Sequence, residues 1–361
     1  MPTDKKPFAE KMVDILNYGA LNLAMGIGYR TGLFDVLDAA GRPCTLDEIC
    51  KAVKLNRRYV KEWLGAMVCG EIVALSRGDD GQPRFSLPPA HGDMLTRRAG
   101  SNNLGVYTQE IPLLTKCAVD HVYRGFLTGD GIPYDLYPEF HDFMAELGNA
   151  KHHEVLVDVF LPSVDEGRLV QKLQRGITVC DLGCAQGVAT ILMAEAFPNS
   201  RFTGIDISAE VLETARADAE RRGLANIRFE LRDAAELHHP GDLSRRFDYI
   251  TAFDAIHDQT RPMQALRGIH EILKDDGAFS MIDIAAETDI DGNREHPMGA
   301  FLYTVSLMHC MPIGLVDNGA GLGMMWGRQL AEKMLAEAGF GHVSVMEIPN
   351  DAFNLHFYCR K

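Results

Sequence analysis

A histidine and an aspartate stand side by side just after a predicted strand. The strand covers 247–253 and is followed by Asp254-Ala-Ile-His257-Asp258. A histidine titrates near neutrality and can remove a proton from a hydroxyl, so His257 is a candidate general base and Asp258 a candidate supporting residue. The alternative interpretation is that His257 caps a helix or only supports neighbouring side chains.

A glycine turn lies earlier in the chain, between a predicted strand at 177–181 and a helix that begins at Val188. Its sequence is Asp181-Leu-Gly183-Cys-Ala185-Gln-Gly187. Glycine allows a ligand to approach the backbone closely, and the start of a helix presents N–H groups to it. The turn therefore predicts a nucleotide-like ligand at the carboxyl edge of a parallel sheet.

Two further predicted strands also end in acids. Asp206 ends the strand at 202–206, and Asp233 follows the strand at 227–231. An acid at the first position suits ribose hydroxyls, and one at the second can accept a hydrogen bond from an adenine amino group. The predicted binding surface also includes the neighbouring residues Ile207, Ala234 and Phe253.

A dinucleotide-binding site would share these features, but its turn differs. Dinucleotide turns read GxGxxG and hold a pyrophosphate, whereas Gly183 and Gly187 have no glycine between them. The carboxylate of Asp181 would repel a pyrophosphate. The turn instead suits a ligand with a cationic amino-acid tail, as S-adenosylmethionine (SAM) has.

Residues 177–283 resemble the class I SAM-dependent methyltransferases, whose hallmark is DxGxGxG followed by acids after the second and third strands. The resemblance implies SAM as cofactor and an α/β fold with a doubly wound, seven-stranded Rossmann-like sheet. It assigns the methionine portion to Asp181, Gly183 and Gly187, the ribose to Asp206, and the adenine to Asp233 and Ala234. Ala185 replaces the middle glycine of the family and narrows the approach to the backbone.

The N-terminal region has a different pattern. Apolar helical residues at 8–40, a capping box at Thr45–Glu48, a helix at 57–67 and two strands around Gly78–Gly81 have the order of a winged helix. Together with the His257-Asp258 pair, this region resembles the phenolic and hydroxyindole O-methyltransferases. The resemblance implies that His257 is the catalytic base and that the winged helix mediates homodimerisation.

Three sequence segments resemble a separate group of winged-helix methyltransferases, of largely undefined substrate, more than they resemble the O-methyltransferases. They are Phe253-Asp-Ala-Ile-His-Asp-Gln259, Met308-His-Cys-Met-Pro312 and Gly321-Leu-Gly-Met-Met-Trp-Gly327. We expect a winged-helix dimerisation domain at 1–100, a helical connector at 101–165, and a SAM-binding domain at 166–361. The last domain carries an insertion at 284–325, and long ordered insertions in α/β enzymes are often active-site lids.

Candidate substrate-contacting residues lie in the connector, in the insertion and immediately after the insertion. The connector segment resembles the one that covers the cofactor in the O-methyltransferases. The predicted substrate-contacting residues are Phe140, Met144, Tyr303, His309 and Trp326. For each of these residues taken alone, packing in the core is the commoner role.

Composition excludes several classes of partner. The formal net charge is -14, with 50 acidic and 36 basic residues, which disfavours nucleic acid and anionic lipid. No signal peptide pattern and no membrane-spanning apolar run is found. The eight cysteines lack the spacing of a disulfide framework or a metal site. We therefore expect a cytoplasmic enzyme for a small-molecule substrate, with no metal.

Other functions fit parts of the pattern. The sulfonium of SAM is already activated, so a nitrogen or sulfur acceptor could be methylated by alignment alone. The winged helix could belong to a transcriptional regulator, although residues 1–100 contain 14 basic and 12 acidic residues rather than a basic stripe. An inactive SAM-binding scaffold is the third alternative, which intact acids at three strand ends disfavour.

Overall fold

The computed structural model describes residues 7–137, 140–349 and 351–361. The chain divides into two compact units. The first comprises Met1–Lys116 and Asp142–Leu147, and the second comprises Cys117–His141 and Gly148–Lys361. Within the described ranges, every helix is too short or too polar to cross a bilayer.

The first unit consists of helices followed by a β-hairpin. Its elements are α1 (Phe8–Arg30), α2 (Leu33–Ala40), α3 (Leu46–Val53), α4 (Arg57–Cys69), β1 (Ala74–Arg77), β2 (Pro83–Ser86) and α5 (Pro89–Leu95). The predicted helical stretch at 8–40 is two helices, because Gly32 takes a left-handed conformation with φ of 73° between them.

Capping residues start the helices where the sequence predicts. Thr45 Oγ1 accepts a hydrogen bond from the backbone N of Glu48 at 3.3 Å, and Glu48 Oε2 accepts one from the backbone N of Thr45 at 2.7 Å. Asn56 Oδ1 accepts one from the backbone N of Arg58 at 2.9 Å. These bonds satisfy N–H groups that a helix start leaves without a partner. The predicted winged-helix order is confirmed.

Beyond the winged helix, the chain runs through helices into a region of alternating strands and helices. The first group is α6 (Glu110–Thr128), α7 (Phe140–Lys151), a π-helical stretch (His152–Phe160), α8 (Leu161–Ser163) and α9 (Arg168–Arg175). The second is β3 (Thr178–Leu182), α10 (Val188–Ala196), β4 (Arg201–Asp206), α11 (Ala209–Arg221), β5 (Ile227–Leu231), β6 (Phe247–Phe253), α12 (Pro262–Ile272), β7 (Leu273–Ile284), α13 (Gly299–Met308), α14 (Cys310–Gly314), α15 (Arg328–Glu337), β8 (His342–Ile348) and β9 (Asp351–Arg360).

Seven strands form one sheet in the order β5-β4-β3-β6-β7-β9-β8. Strands β3 to β7 are parallel, and β9 is antiparallel to both of its neighbours. The predicted doubly wound, seven-stranded sheet is confirmed. Because the chain extends outward from β3 to β5 and then returns to β6 beside β3, its direction switches between β3 and β6. Ligands of such sheets bind at the carboxyl ends of the strands flanking this switch point.

Helices cover both faces of the sheet, which explains why the central strands are apolar almost throughout. Val179 and Tyr249 pack with Met193 of α10 on one face. On the other face, Ile250 packs with Leu266 of α12. These side chains are almost fully buried. The strands are thus held rigidly by apolar packing, and the polar residues of interest lie where the strands end.

The predicted insertion at 284–325 is ordered and contains α13 and α14. Tyr137 Oη donates a hydrogen bond to Met308 O at 2.8 Å, and the backbone N of Ile132 donates one to Pro312 O at 3.0 Å. A Cβ added to Gly131 would lie only 2.3 Å from the backbone N of Val316. The segment 131–137 and the insertion are therefore packed together within the second unit.

Candidate active site

Asp181, in β3, accepts hydrogen bonds from two threonine hydroxyls on neighbouring elements. Its Oδ2 accepts from Thr190 Oγ1 at 2.6 Å, and its Oδ1 accepts from Thr251 Oγ1 at 3.0 Å. The residue is 2% exposed, and burial raises its pKa to about 6 although the two hydroxyls lower it. Since Thr190 lies in α10 and Thr251 in β6, the carboxylate fixes the glycine turn relative to both elements.

The glycine turn excludes side chains at two points. A Cβ at Gly183 would lie 2.5 Å from the Cβ of Ala255, and a Cβ at Gly187 would lie 2.6 Å from the ring of Phe229. Both glycines have positive φ, 69° and 74°. Ala185 between them has φ of 47°, a left-handed conformation that glycine adopts more readily than alanine. Alanine in place of the middle glycine therefore strains the backbone, and its methyl group reduces the space beside the turn.

Asp206 joins the end of β4 to the glycine turn. Its Oδ2 accepts a hydrogen bond from the backbone N of Ala185 at 2.9 Å, and its Oδ1 accepts one from the backbone N of Ser208 at 2.9 Å. Each carboxylate oxygen can accept a further bond. The next residue, Ile207, is 71% exposed. This strand end thus combines hydrogen-bond acceptors with an uncovered apolar side chain, as a nucleoside site requires.

Asp233 starts a short 3₁₀ helix after β5 and pairs with an arginine. Its Oδ1 accepts from the backbone N of Ala235 at 2.8 Å, and its Oδ2 accepts from Arg261 Nη2 at 2.6 Å. The adjacent Ala234 is buried. Sequence reasoning did not identify Arg261, which partly neutralises the predicted adenine-binding acid.

Phe253, the last residue of β6, lies among aromatic rings. Its ring centroid is 5.0 Å from that of His152 and 5.9 Å from that of Phe160, both in edge-to-face geometry. Burial lowers the pKa of His152 to about 4, so this imidazole is neutral. The strand end beside the switch point is consequently apolar on this side.

His257 is held by a buried carboxylate at the end of β7. Its Nδ1 donates to Asp283 Oδ1 at 2.8 Å, and Trp326 Nε1 donates to the same oxygen at 3.1 Å. The backbone N of Ile284 adds a third bond to that oxygen at 2.9 Å. His257 and Asp283 are 3% and 1% exposed. Because Nδ1 is bonded to Asp283, the chemistry of the ring is left to Nε2.

Asp258 lies on the side of that second nitrogen. Its Oδ1 is 3.5 Å from His257 Nε2, which is longer than a good hydrogen bond. Burial lowers the pKa of His257, but the carboxylates of Asp283 and Asp258 raise it well above its usual value. The surroundings therefore stabilise the imidazolium, which is the form that His257 takes once it has accepted a proton.

Sequence reasoning missed two residues beside His257. Asp283 ends a buried strand, as the chosen acids do, so the strand-end pattern contained the signal that could have identified it. Cys310 is a buried residue whose thiol interacts with the His257 imidazole. Cys310 lies in the segment Met308–Pro312 that the sequence comparison singled out, but its place beside His257 could not be predicted, because the packing of α14 brings it to the end of β6.

The residues predicted in or beside the insertion have different surroundings. Trp326 is 4% exposed and belongs to the main core, with its N–H on Asp283. Tyr303 Oη accepts from Asn293 Nδ2 at 3.1 Å. His309 is 3% exposed, and its ring centroid is 4.9 Å from that of Tyr137. Trp326 thus helps to position Asp283, which holds His257. The substrate roles of Trp326, Tyr303 and His309 remain predictions.

The two connector residues remain predictions as well. Met144 lies in the first unit and is 37% exposed. Phe140 begins α7, and its side chain is outside the described part of the structure.

Comparison with known proteins identifies the class of enzyme. Residues 173–339 match the methyltransferase domain family, and residues 19–97 match the Rv2258c-like winged helix-turn-helix domain family. A demethylmenaquinone methyltransferase of Listeria monocytogenes is 26% identical over 203 residues, which are 53% of this chain and 81% of the relative. The protein is a SAM-dependent methyltransferase.

Solved structures show the same fold over the whole methyltransferase. The mitomycin 7-O-methyltransferase structure is 17% identical with a TM-score of 0.69, and covers 98% of each chain. The structure of human N-acetylserotonin methyltransferase in complex with SAM is 17% identical with a TM-score of 0.67, and covers 100% of this chain and 99% of its own. At this identity the likeness establishes the fold.

The methyltransferase should depend on Asp283 for stability. Asp283→Ala leaves the buried N–H groups of His257 and Trp326 without their acceptor, which we expect to lower the free energy of unfolding by about 2–4 kcal/mol. Chemical denaturation measures this loss. The control is Asp291→Ala, which removes an exposed acid nearby. An Asp283→Ala variant as stable as the control would contradict the supporting role of the carboxylate.

Proposed function

We propose that this methyltransferase transfers the methyl group of SAM to a hydroxyl of a small molecule, and that His257 activates the hydroxyl. The observation that carries the proposal is the position of His257. It follows β6 at the switch point of the sheet, and Asp283 holds its Nδ1 so that Nε2 is the reactive nitrogen. The structural neighbours support a hydroxyl acceptor, since one of them is a mitomycin 7-O-methyltransferase.

The residues at the strand ends fit the cofactor. Gly183 and Gly187 leave the backbone uncovered, Asp206 retains acceptor capacity for ribose hydroxyls, and the exposed Ile207 can pack on the adenine. Asp233 and Ala234 are the proposed adenine contacts, and Phe253 lies at the same edge. Asp181 acts through the turn, which it bonds to α10 and β6. When bound, SAM supplies a methyl group that its sulfonium already activates.

The polar groups around His257 favour oxygen as the acceptor atom. A hydroxyl is a poor nucleophile until its proton is lost, whereas a neutral amine attacks with its own lone pair. A buried imidazole between two carboxylates is a costly arrangement, and methyl transfer to an amine would not require it. Asp258, at 3.5 Å from Nε2, is proposed to act with His257 on the hydroxyl.

Loss of His257 should abolish turnover without loss of the cofactor. Once an acceptor is identified with labelled SAM, we expect His257→Ala and His257→Gln to bind SAM normally while kcat falls at least about a hundredfold. Calorimetry gives the affinity, and single-turnover kinetics give the rate of transfer. Asp291→Ala is the control.

The same experiment separates activation from alignment. If both His257 variants bind SAM and keep a near-normal kcat, the enzyme works by alignment alone and the proposed activation of the hydroxyl by His257 fails. Methylation of amines or thiols but not hydroxyls by the wild type would also contradict it.

We further propose a homodimer built by the first unit. Helix α1 presents apolar side chains that are more than half exposed, namely Phe8, Val13, Leu16, Tyr18, Leu23 and Ile27. An apolar surface of this size on one helix is typical of an interface, and a symmetric dimer is the commonest assembly. The net charge of -14 disfavours a nucleic acid partner, so we propose a small-molecule substrate and no nucleic acid partner.

Light scattering tests the dimer. We expect the wild type to have twice the mass of one chain at micromolar concentration, and Leu16→Glu to shift it toward the monomer because a charge cannot be buried without a partner. Asp79→Ala in the exposed turn of the β-hairpin serves as control. A monomeric wild type would refute this assembly and leave the methyl-transfer proposal untouched.

A further inference from the structure

We propose that His257, Asp258 and Cys310 form a zinc site. They offer one nitrogen, one carboxylate oxygen and one thiol sulfur, and these three atoms all lie within 4.8 Å of one another. His257 and Cys310 are buried, and Asp258 is partly buried. No metal is predicted from the sequence, because the cysteines lack the spacing of a metal site; Cys310 is far from His257 in the chain, and α14 brings the two together.

The spacing of two donor atoms suits a bound ion better than a hydrogen bond. His257 Nε2 and Asp258 Oδ1 are 3.5 Å apart, beyond the usual limit of about 3.2 Å for an N–H···O bond. Zinc bonds of about 2.0–2.3 Å in a tetrahedron place neighbouring ligand atoms roughly 3.3–3.8 Å apart. The nitrogen and the oxygen therefore already have the separation of two ligands of one zinc ion.

The oxygen of Asp258 that faces the imidazole has no close hydrogen-bond donor. Within the described ranges of the chain, Asp258 Oδ1 is buried and no hydrogen bond to it meets the usual geometry, although the Cys310 thiol interacts with the same carboxylate. A buried carboxylate oxygen without a donor is costly, and a cation would satisfy it.

The surroundings of the proposed ligands are those of a supported metal site. A metal-binding histidine usually donates its other ring N–H to a carboxylate, which orients the ring and fixes its tautomer. His257 Nδ1 donates in this way to Asp283 at 2.8 Å. On the thiol side, His309 Nδ1 lies 3.4 Å from Cys310 Sγ and can donate to a thiolate ligand. Thus both ends of the cluster have polar support from outside the three ligands.

The donor set selects the ion and predicts its role. Nitrogen, sulfur and carboxylate oxygen together suit zinc, whereas magnesium and calcium prefer oxygen alone. Three protein ligands leave a fourth position open, as in catalytic zinc sites. Resting on the proposed function, we assign this position to the oxygen of the acceptor hydroxyl, whose pKa a bound zinc ion would lower so that its proton passes to water. In that case His257 would act on the hydroxyl as a ligand of the ion, and would not itself take the proton.

Cobalt substitution tests the site without need for SAM or an acceptor. The full-length protein, stripped with a chelator, is titrated with Co²⁺ and then with Zn²⁺. We expect one Co²⁺ per chain, a thiolate-to-cobalt charge-transfer band, the visible bands of tetrahedral cobalt, and loss of all these bands when Zn²⁺ displaces Co²⁺. A wild type that gives no thiolate-to-cobalt band would overturn the proposal.

Matched variants assign the ligands. Cys310→Ser should lose the charge-transfer band. Loss of a residue that only supports a metal ligand weakens binding about 10- to 100-fold, and Asp258→Asn should weaken Co²⁺ binding by more than that. Asp283→Asn should fall within that lower range. Cys69→Ser, which changes an exposed cysteine, is the control. Thermal melting checks that each variant is folded. If Cys310→Ser does not fold, the affinity of Asp258→Asn for Co²⁺ tests the site by itself.

The outcomes separate this inference from the proposed function. An unchanged cobalt spectrum in Cys310→Ser, or unchanged affinity in Asp258→Asn, overturns the zinc site even if hydroxyls are methylated. Cobalt binding with the expected spectrum supports the site even if the acceptor is an amine.

Discussion

The candidate site depends on the hydrogen bonds that the Asp283 carboxylate accepts. It is 1% exposed, and a single oxygen accepts from the ring of His257, the indole of Trp326 and the backbone of Ile284. These three groups belong to the loop after β6, the segment before α15 and β7 itself. A buried charge is tolerated only when it is well paired, so the three elements must keep their relative positions. The orientation of His257 is a consequence of that requirement.

The sheet topology explains why the other polar groups are close together. Parallel strands end at one edge, and the return of the chain from β5 to β6 places the glycine turn beside the loop that carries His257. The contact between the positions of Gly183 and Ala255 joins these two loops directly. Asp206 and Asp181 then fix the turn from two sides through backbone and hydroxyl bonds. The proposed cofactor site and the proposed acceptor site therefore share one edge of the sheet.

Much of this arrangement could be predicted from the sequence because it depends on local patterns. Strand-end acids, glycines and the capping residue Thr45 each reflect a backbone requirement that a few neighbouring residues reveal. The strand-end pattern could have marked Asp283 but not its bonds to His257 and Trp326, and neither the salt bridge of Asp233 with Arg261 nor the approach of Cys310 to His257 could be derived in that way. They arise from packing between elements distant in the chain. For the same reason the sequence did not reveal that Trp326, whose contact with substrate remains a prediction, packs in the main core and donates to Asp283.

Calorimetric titration with S-adenosylhomocysteine measures whether the glycine turn and Asp206 bind the cofactor despite the backbone strain at Ala185. We expect binding by the wild type and by Glu210→Ala, which alters an exposed acid near the same edge. We expect Asp206→Ala to lose about 1.5–3 kcal/mol of binding free energy, the scale of a hydrogen bond to a charged group. No binding by the wild type, or an Asp206→Ala variant with unchanged affinity, would contradict the proposed cofactor site.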